Sequence, residues 1–378
     1  MLRPVVLLSL ALASLASAPQ DGVEGPRCGK CKRVGLLPCA EHKKLDLSYA
    51  GDVLFCSFLA DCESCGGTGL VDCPKCEHPE AVARNDAKKA VVGERAEALA
   101  ALDDAMGRTL RKAESEHFVL VWEVDRLKVG RKKIGDHALL HLYLRRLEEL
   151  YAAYTELLGV DDDQLEKKCE VFVWSDLQDH LKAGTEFCRF SQEAGTLSLG
   201  NEPKYSVVGL TKTRKTDAQL HRHLVHNVTH LLMSHQRPVT WVGNIRGGWA
   251  DAGLAHYFED KLFETCDNYC YKASNEIPDY KGKAWRPMVR KLVEDEAAPA
   301  ATEVFQQNTV SLTADHHLVS FSFMDFLLAT DREKTNRLLI RLRSRVPTRD
   351  ALREIFGWKE EDFEKEWRAW VAGNYPSR

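Results

Sequence analysis

The chain carries no basic excess: 52 lysines and arginines stand against 56 aspartates and glutamates. A general nucleic-acid binder shows a basic surplus or stripe, so this balance argues against that class. No short-period glycine repeat is present, and 44% of the residues are hydrophobic. Together these exclude a collagen-like fibre and intrinsic disorder. No apolar run reaches the ~20 residues that a membrane span needs. No serine–histidine or cysteine–histidine nucleophile pattern stands out, and there is no phosphate-binding glycine loop. Cysteine is sparse, with 12 in 378 residues, too few for a disulfide-built mini-protein. What is there is uneven. Eight of the cysteines fall between Cys28 and Cys76. At roughly 100–200 residues per domain, the length allows two or three domains with a sizeable core.

Met1–Ala18 reads MLRPVVLLSLALASLASA. One arginine, a short apolar run and then small residues is the order of a secretory signal peptide. The expectation is export, periplasmic or extracellular, with no stable membrane span once residues 1–18 are removed. No cysteine follows the small residues, so a lipoprotein anchor is not indicated.

Residues 28–42 (CGKCKRVGLLPCAEH) superimpose on residues 62–76 (CESCGGTGLVDCPKC). Cys28, Cys31, Cys39 and His42 fall on Cys62, Cys65, Cys73 and Cys76. Each unit offers two pairs of ligand-type residues separated by two positions. Such a turn sets two thiolates on one side of a tight loop, and two turns complete the tetrahedral shell that Zn2+ prefers. Gly66, Gly67 and Gly69 suit a chain bending sharply beside each pair. Disulfides are the competing reading, since export brings the chain into an oxidising compartment. The odd Cys56 and the His42 replacement favour metal, because histidine can stand in for a thiolate at an ion but not in a disulfide. The sites are expected to be structural, as four protein ligands leave no open position. The second unit resembles the repeats of the DnaJ-type cysteine-rich zinc domain. In the first unit Arg33 replaces a glycine and His42 a cysteine. That resemblance implies two zinc ions held by these eight residues, and a role in binding unfolded chains or docking partners. Which pairs share an ion is not readable from spacing.

The chain then divides into three expected parts: the zinc-binding module over 22–78, a connecting helix over 79–115, and a large domain over 116–378. Leu99, Leu102, Met106 and Leu110 fall at helical spacing in the connector. In the large domain, 117–124, 170–174, 196–199 and 206–210 read as strands. Residues 139–158, 218–234, 247–260, 320–330, 333–345 and 359–371 read as helices. Strands first and helices afterwards predict an α+β domain rather than a wound parallel sheet.

His226 and His230 stand at i and i+4, on one helix face within reach of a single ion. The next helix carries GGWADAGLAHYFED. Here the chain resembles the gluzincin metallopeptidases, the thermolysin-like superfamily, with H-E-x-x-H on one helix and a glutamate ligand in W-L-x-E-G on the next. Trp249, Gly253, Leu254, Ala255, Tyr257 and Phe258 match that second helix. The resemblance implies a gluzincin-like fold from about residue 116 onward. The active-site positions depart from it. Asn227 replaces the glutamate that takes a proton from zinc-bound water, and Ala252 replaces the third ligand. His256, one turn beyond Ala252, is the candidate substitute ligand. Asp251 is a substitute acid, although about 100° round the helix from Ala252. His223 is too far from His230 to share an ion with it, and His221 and His235 read as surface or capping residues. The four remaining cysteines, Cys169, Cys188, Cys266 and Cys270, read as buried thiols, with the last two in a probable helix.

The leading expectation is an exported zinc-binding protein with an inactive peptidase-like domain that binds peptides or a protein partner. The alternatives are an active peptidase using His226, His230 and an atypical third ligand, and a chaperone-like or scaffold protein acting through the zinc module.

Overall fold

The computed structural model describes residues 28–42, 53–200, 202–212, 214–270 and 283–377. The leader over 1–18 lies outside the described residues. The strands are β1 (Leu36–Pro38), β2 (Phe55–Cys56), β3 (Leu70–Asp72), β4 (Lys112–Glu114), β5 (Phe118–Trp122), β6 (Arg126–Val129), β7 (Lys132–Gly135), β8 (Cys169–Trp174), β9 (Thr196–Ser198) and β10 (Lys204–Val208). The helices begin with α1 (Ser57–Ala60), α2 (Pro79–Ala98), α3 (Ala100–Met106), α4 (Asp136–Leu158), α5 (Leu177–Cys188), α6 (Asp217–His235) and α7 (Gly248–Phe263). They continue with α8 (Trp285–Glu294), α9 (Ala301–Val304), α10 (Ala314–Thr330), α11 (Arg332–Arg343), α12 (Thr348–Phe356) and α13 (Glu360–Asn374). No helix among the described residues is long and apolar enough to cross a membrane.

The architecture is mixed α+β, as expected. Its main sheet has the order β2-β4-β5-β8-β10-β9. The three central strands are parallel, in contrast to the expectation drawn from element order: β5 pairs with β8, and β8 with β10, in the same direction. The composition explains this. All five residues of β5 are buried, the mark of a strand covered on both faces. Phe118, Leu120, Val171, Val173 and Val207 pack on the side of α4 and α6. Val119, Val121, Phe172 and Trp174 pack on the other side against Val92, Leu99, Leu102 and Met106.

That second face corrects the reading of the connector. Its apolar stripe, Leu99, Leu102, Met106 and Leu110, packs on the sheet. The helix breaks at Leu99 and ends at Met106, where Gly107 takes a left-handed φ of 73°. Residues 112–114 then form β4. On the far side of β4, β2 adds an edge strand through Phe55↔Glu114 and Cys56↔Ala113. The cysteine-rich segment is thereby joined to the main sheet.

Two helices set up the candidate site. A capping box of Thr216 and Gln219 starts α6. α7 is buried almost all round and lies between α6 and α10. A Cβ at Gly253 would come within 2.4 Å of the Ser320 carbonyl oxygen on α10, so the crossing requires glycine.

Candidate metal centres

The repeat folds back on itself through β1 and β3, which pair antiparallel with Leu37 opposite Val71. This brings the first pair of the chain to the last, and the second to the third. Cys28, Cys31, Cys73 and Cys76 form one cluster, and Cys39, His42, Cys62 and Cys65 form the other. Both are tetrahedral sets that could hold zinc. Sulfur separations are 3.8 Å for Cys28–Cys73, 3.3 Å for Cys31–Cys76 and 3.9 Å for Cys39–Cys62. A tetrahedral ion with ~2.3 Å bonds to sulfur separates its ligands by about 3.8 Å. A disulfide needs ~2.05 Å, and all twelve cysteines are free thiols.

At the first pair the turn favours charge on sulfur, whereas burial raises the Cys65 thiol and neighbouring cysteines raise that of Cys76. Backbone N–H groups of Cys31 and Lys30 lower the Cys28 thiol to about 6. The Gly35 N–H donates to Cys31 Sγ at 3.3 Å. His42 turns Nδ1 to Cys65 Sγ at 3.7 Å and is itself buried.

The second candidate lies between α6 and α7. His226 donates from Nδ1 to Glu259 at 3.1 Å, and His230 donates from Nδ1 to Asp251 at 2.8 Å. With both Nδ1 atoms committed, the Nε2 atoms face one another at 3.3 Å. Two neutral imidazoles so held would oppose their lone pairs, so the pair takes either a proton shared between the rings or an ion bound by both. Cys270 Sγ completes the group, 3.6 Å from His230 Nε2 and 4.0 Å from His226 Nε2. Burial alone would raise the Cys270 thiol, but His230 and His226 bring it down to about 7. Burial also works against a charged His230, yet Asp251 and Cys270 raise it well above the usual imidazole range. A carboxylate on the remote nitrogen of each histidine is the usual outer support of a metal-bound imidazole.

The substitute residues therefore take different places from those expected. Cys270, not His256, sits beside the two Nε2 atoms. His256 lies on the Glu259 side of His226, its Nε2 2.9 Å from His317 Nδ1, and burial together with His226 holds it well below the usual imidazole range. Asp251 does turn into the site, but behind His230, and its Oδ2 accepts from Trp241 Nε1 and Thr309 Oγ1. Asn227 donates from Nδ2 to the His223 carbonyl at 2.8 Å. Ala252 is fully buried. His223 bonds Tyr205 and Asn268 instead of joining the pair, as its spacing required. His235 is buried, not a surface residue, and takes the capping alternative: at the end of α6 its Nδ1 lies 3.0 Å from the last-turn carbonyl of Leu231. Cys266 and Cys270 are not helical. α7 stops at Phe263, and Cys266 forms a bridge with Lys283. Cys188 closes α5, and Cys169 opens β8 with burial pushing its thiol up to about 12.

No family model matches the chain, and no curated protein is significantly similar to it in sequence.

Proposed function

We propose that this is an exported zinc-binding protein whose C-terminal domain keeps a metal centre of gluzincin-like layout without hydrolysing peptides, and that it acts by binding a peptide or protein partner. The N-terminal module, with its DnaJ-like repeats, is a structural part holding two zinc ions, since each cluster already supplies four ligands. In the large domain, His226, His230 and Cys270 would hold the third ion. Bound there, zinc would act as a Lewis acid toward a carbonyl oxygen of a bound chain.

One observation carries the non-hydrolytic reading: the two carboxylates that touch the histidines are used up on the far side of the rings. Glu259 Oε2 holds His226 and its Oε1 accepts from Asp267 N and Asn268 Nδ2. Asp251 spends both oxygens on His230, Trp241 and Thr309. Neither is free to take a proton from water at the Nε2 side. Asn227, where the gluzincin base would stand, carries an amide and no base.

The zinc-loaded full chain should bind an unstructured peptide pool, read by fluorescence anisotropy, and release no new amino termini from it. Cys270→Ala should lose one zinc equivalent. Hydrolysis that disappears in His226→Ala would overturn the reading in favour of a working peptidase.

A further inference from the structure

Cys56, the cysteine left over from the repeat, is not alone in space. It ends β2, at the edge strand that joins the cysteine-rich segment to the main sheet. Across from it are His137 and His141, one turn apart at the start of α4. Cys56 Sγ lies 3.1 Å from His141 Nε2, and the two imidazole rings are 4.4 Å apart between centroids. One ligand atom from each of the three residues lies within 4.8 Å of the others. All three side chains are buried, at 2%, 4% and 1% exposure.

The cluster is set in apolar surroundings. Val53, Leu59, Leu139 and Leu140 are part of the same apolar core, and Phe58 meets the His137 ring edge-on at 5.1 Å. A pocket of about 10 Å³, bounded by Cys56, His141 and Thr68, opens beside the group. That has room for one water molecule, enough for a fourth ligand on an ion, and Lys88 also lines it.

We infer that Cys56, His137 and His141 form a separate zinc site that ties the cysteine-rich module to helix α4 of the large domain. One thiolate and two imidazoles are a donor set zinc accepts, with water as the fourth ligand. The i, i+4 spacing sets both rings on one helix face, and the thiolate comes from the module. The N-terminal end of a helix disfavours a cation, and the thiolate offsets that by neutralising one of the two charges. The ion acts as a staple between two parts of the chain, and no reaction is assigned to it.

The test uses the full chain carrying His226→Ala, which removes the peptidase-like centre, loaded with 113Cd2+. Three resonances are expected: two from sulfur-rich module sites and one from a site of two nitrogens and one sulfur. Cys56→Ala added to this chain should delete the third resonance alone and drop the zinc content by one equivalent. Two resonances before that change, or three after it, would overturn the inference. The first count decides the matter even if Cys56→Ala fails to fold. Equal metal content in the unsubstituted and His226→Ala chains would instead count against the peptidase-like centre and leave this site standing.

Discussion

Lys32 and Arg33 hold φ angles of 51° and 72°, while their counterparts in the second repeat, Gly66 and Gly67, hold 56° and 79°. At these two positions the first repeat has no glycine, yet it makes the same turn. A left-handed conformation costs an L-residue roughly 1–2 kcal/mol, so the turn beside this cluster carries a strain that its own residues do not favour. Arg33→Gly should therefore tighten the hold on metal by about 1 kcal/mol, or roughly fivefold in a competition titration against a chromogenic chelator. An unchanged midpoint would show that the turn is not strained. The same scale shows what the sequence could and could not say. The eight module ligands are legible from spacing because neighbouring residues create each pair. Cys270 is not, because it lies beyond the end of α7 in a stretch without periodicity. Asp251, a substitute acid set about 100° round the helix from Ala252, reaches His230 because α6 and α7 pack closely enough for a side chain off the facing stripe to span the gap.

Among the elements, the crossing of α7 on α10 is a demanding contact. A Cβ on Gly253 would meet backbone at 2.4 Å, and backbone cannot swing aside as a long side chain can. Gly253→Ala should cost about 1–3 kcal/mol through overpacking, read as a lower denaturant midpoint with the module's zinc content unchanged. Part of the helical set was legible: α6, α11 and α13 lie within three residues of their expected bounds, whereas α10 begins six residues early and α5, α8 and α12 had no expected counterpart. The break at Leu99 was not, as no proline or glycine marks it and the residue keeps a right-handed helical backbone. The parallel centre of the sheet was also hidden. Burial on both faces, which distinguishes such strands, arises only once α2, α3 and α5 cover the second face.

For the whole molecule, the joint between module and sheet matters more than either part. Leu54 donates to the Glu114 carbonyl at 2.7 Å, and β2 beyond it covers the outer side of β4. Stripping the metals with a strong chelator should therefore loosen more than the cysteine turns. Hydrogen–deuterium exchange should accelerate across residues 53–56, while β5 and β8 in the sheet centre keep their protection. Unchanged protection at 53–56 would mean that the edge strand is held by the sheet without help from metal.

The order of the module's ligands along the chain has one more consequence. Its two clusters are nested: Cys39, His42, Cys62 and Cys65 close an inner loop, and Cys28, Cys31, Cys73 and Cys76 close an outer one around it. Closing a loop costs roughly 0.6 kcal/mol more for each doubling of its length, so the inner ion is the less costly one to capture first. Once it is in place, it has already shortened the outer loop, and the second ion enters a chain half prepared for it. At substoichiometric zinc the inner cluster should therefore fill before the outer one, and a chelator should empty the outer cluster first.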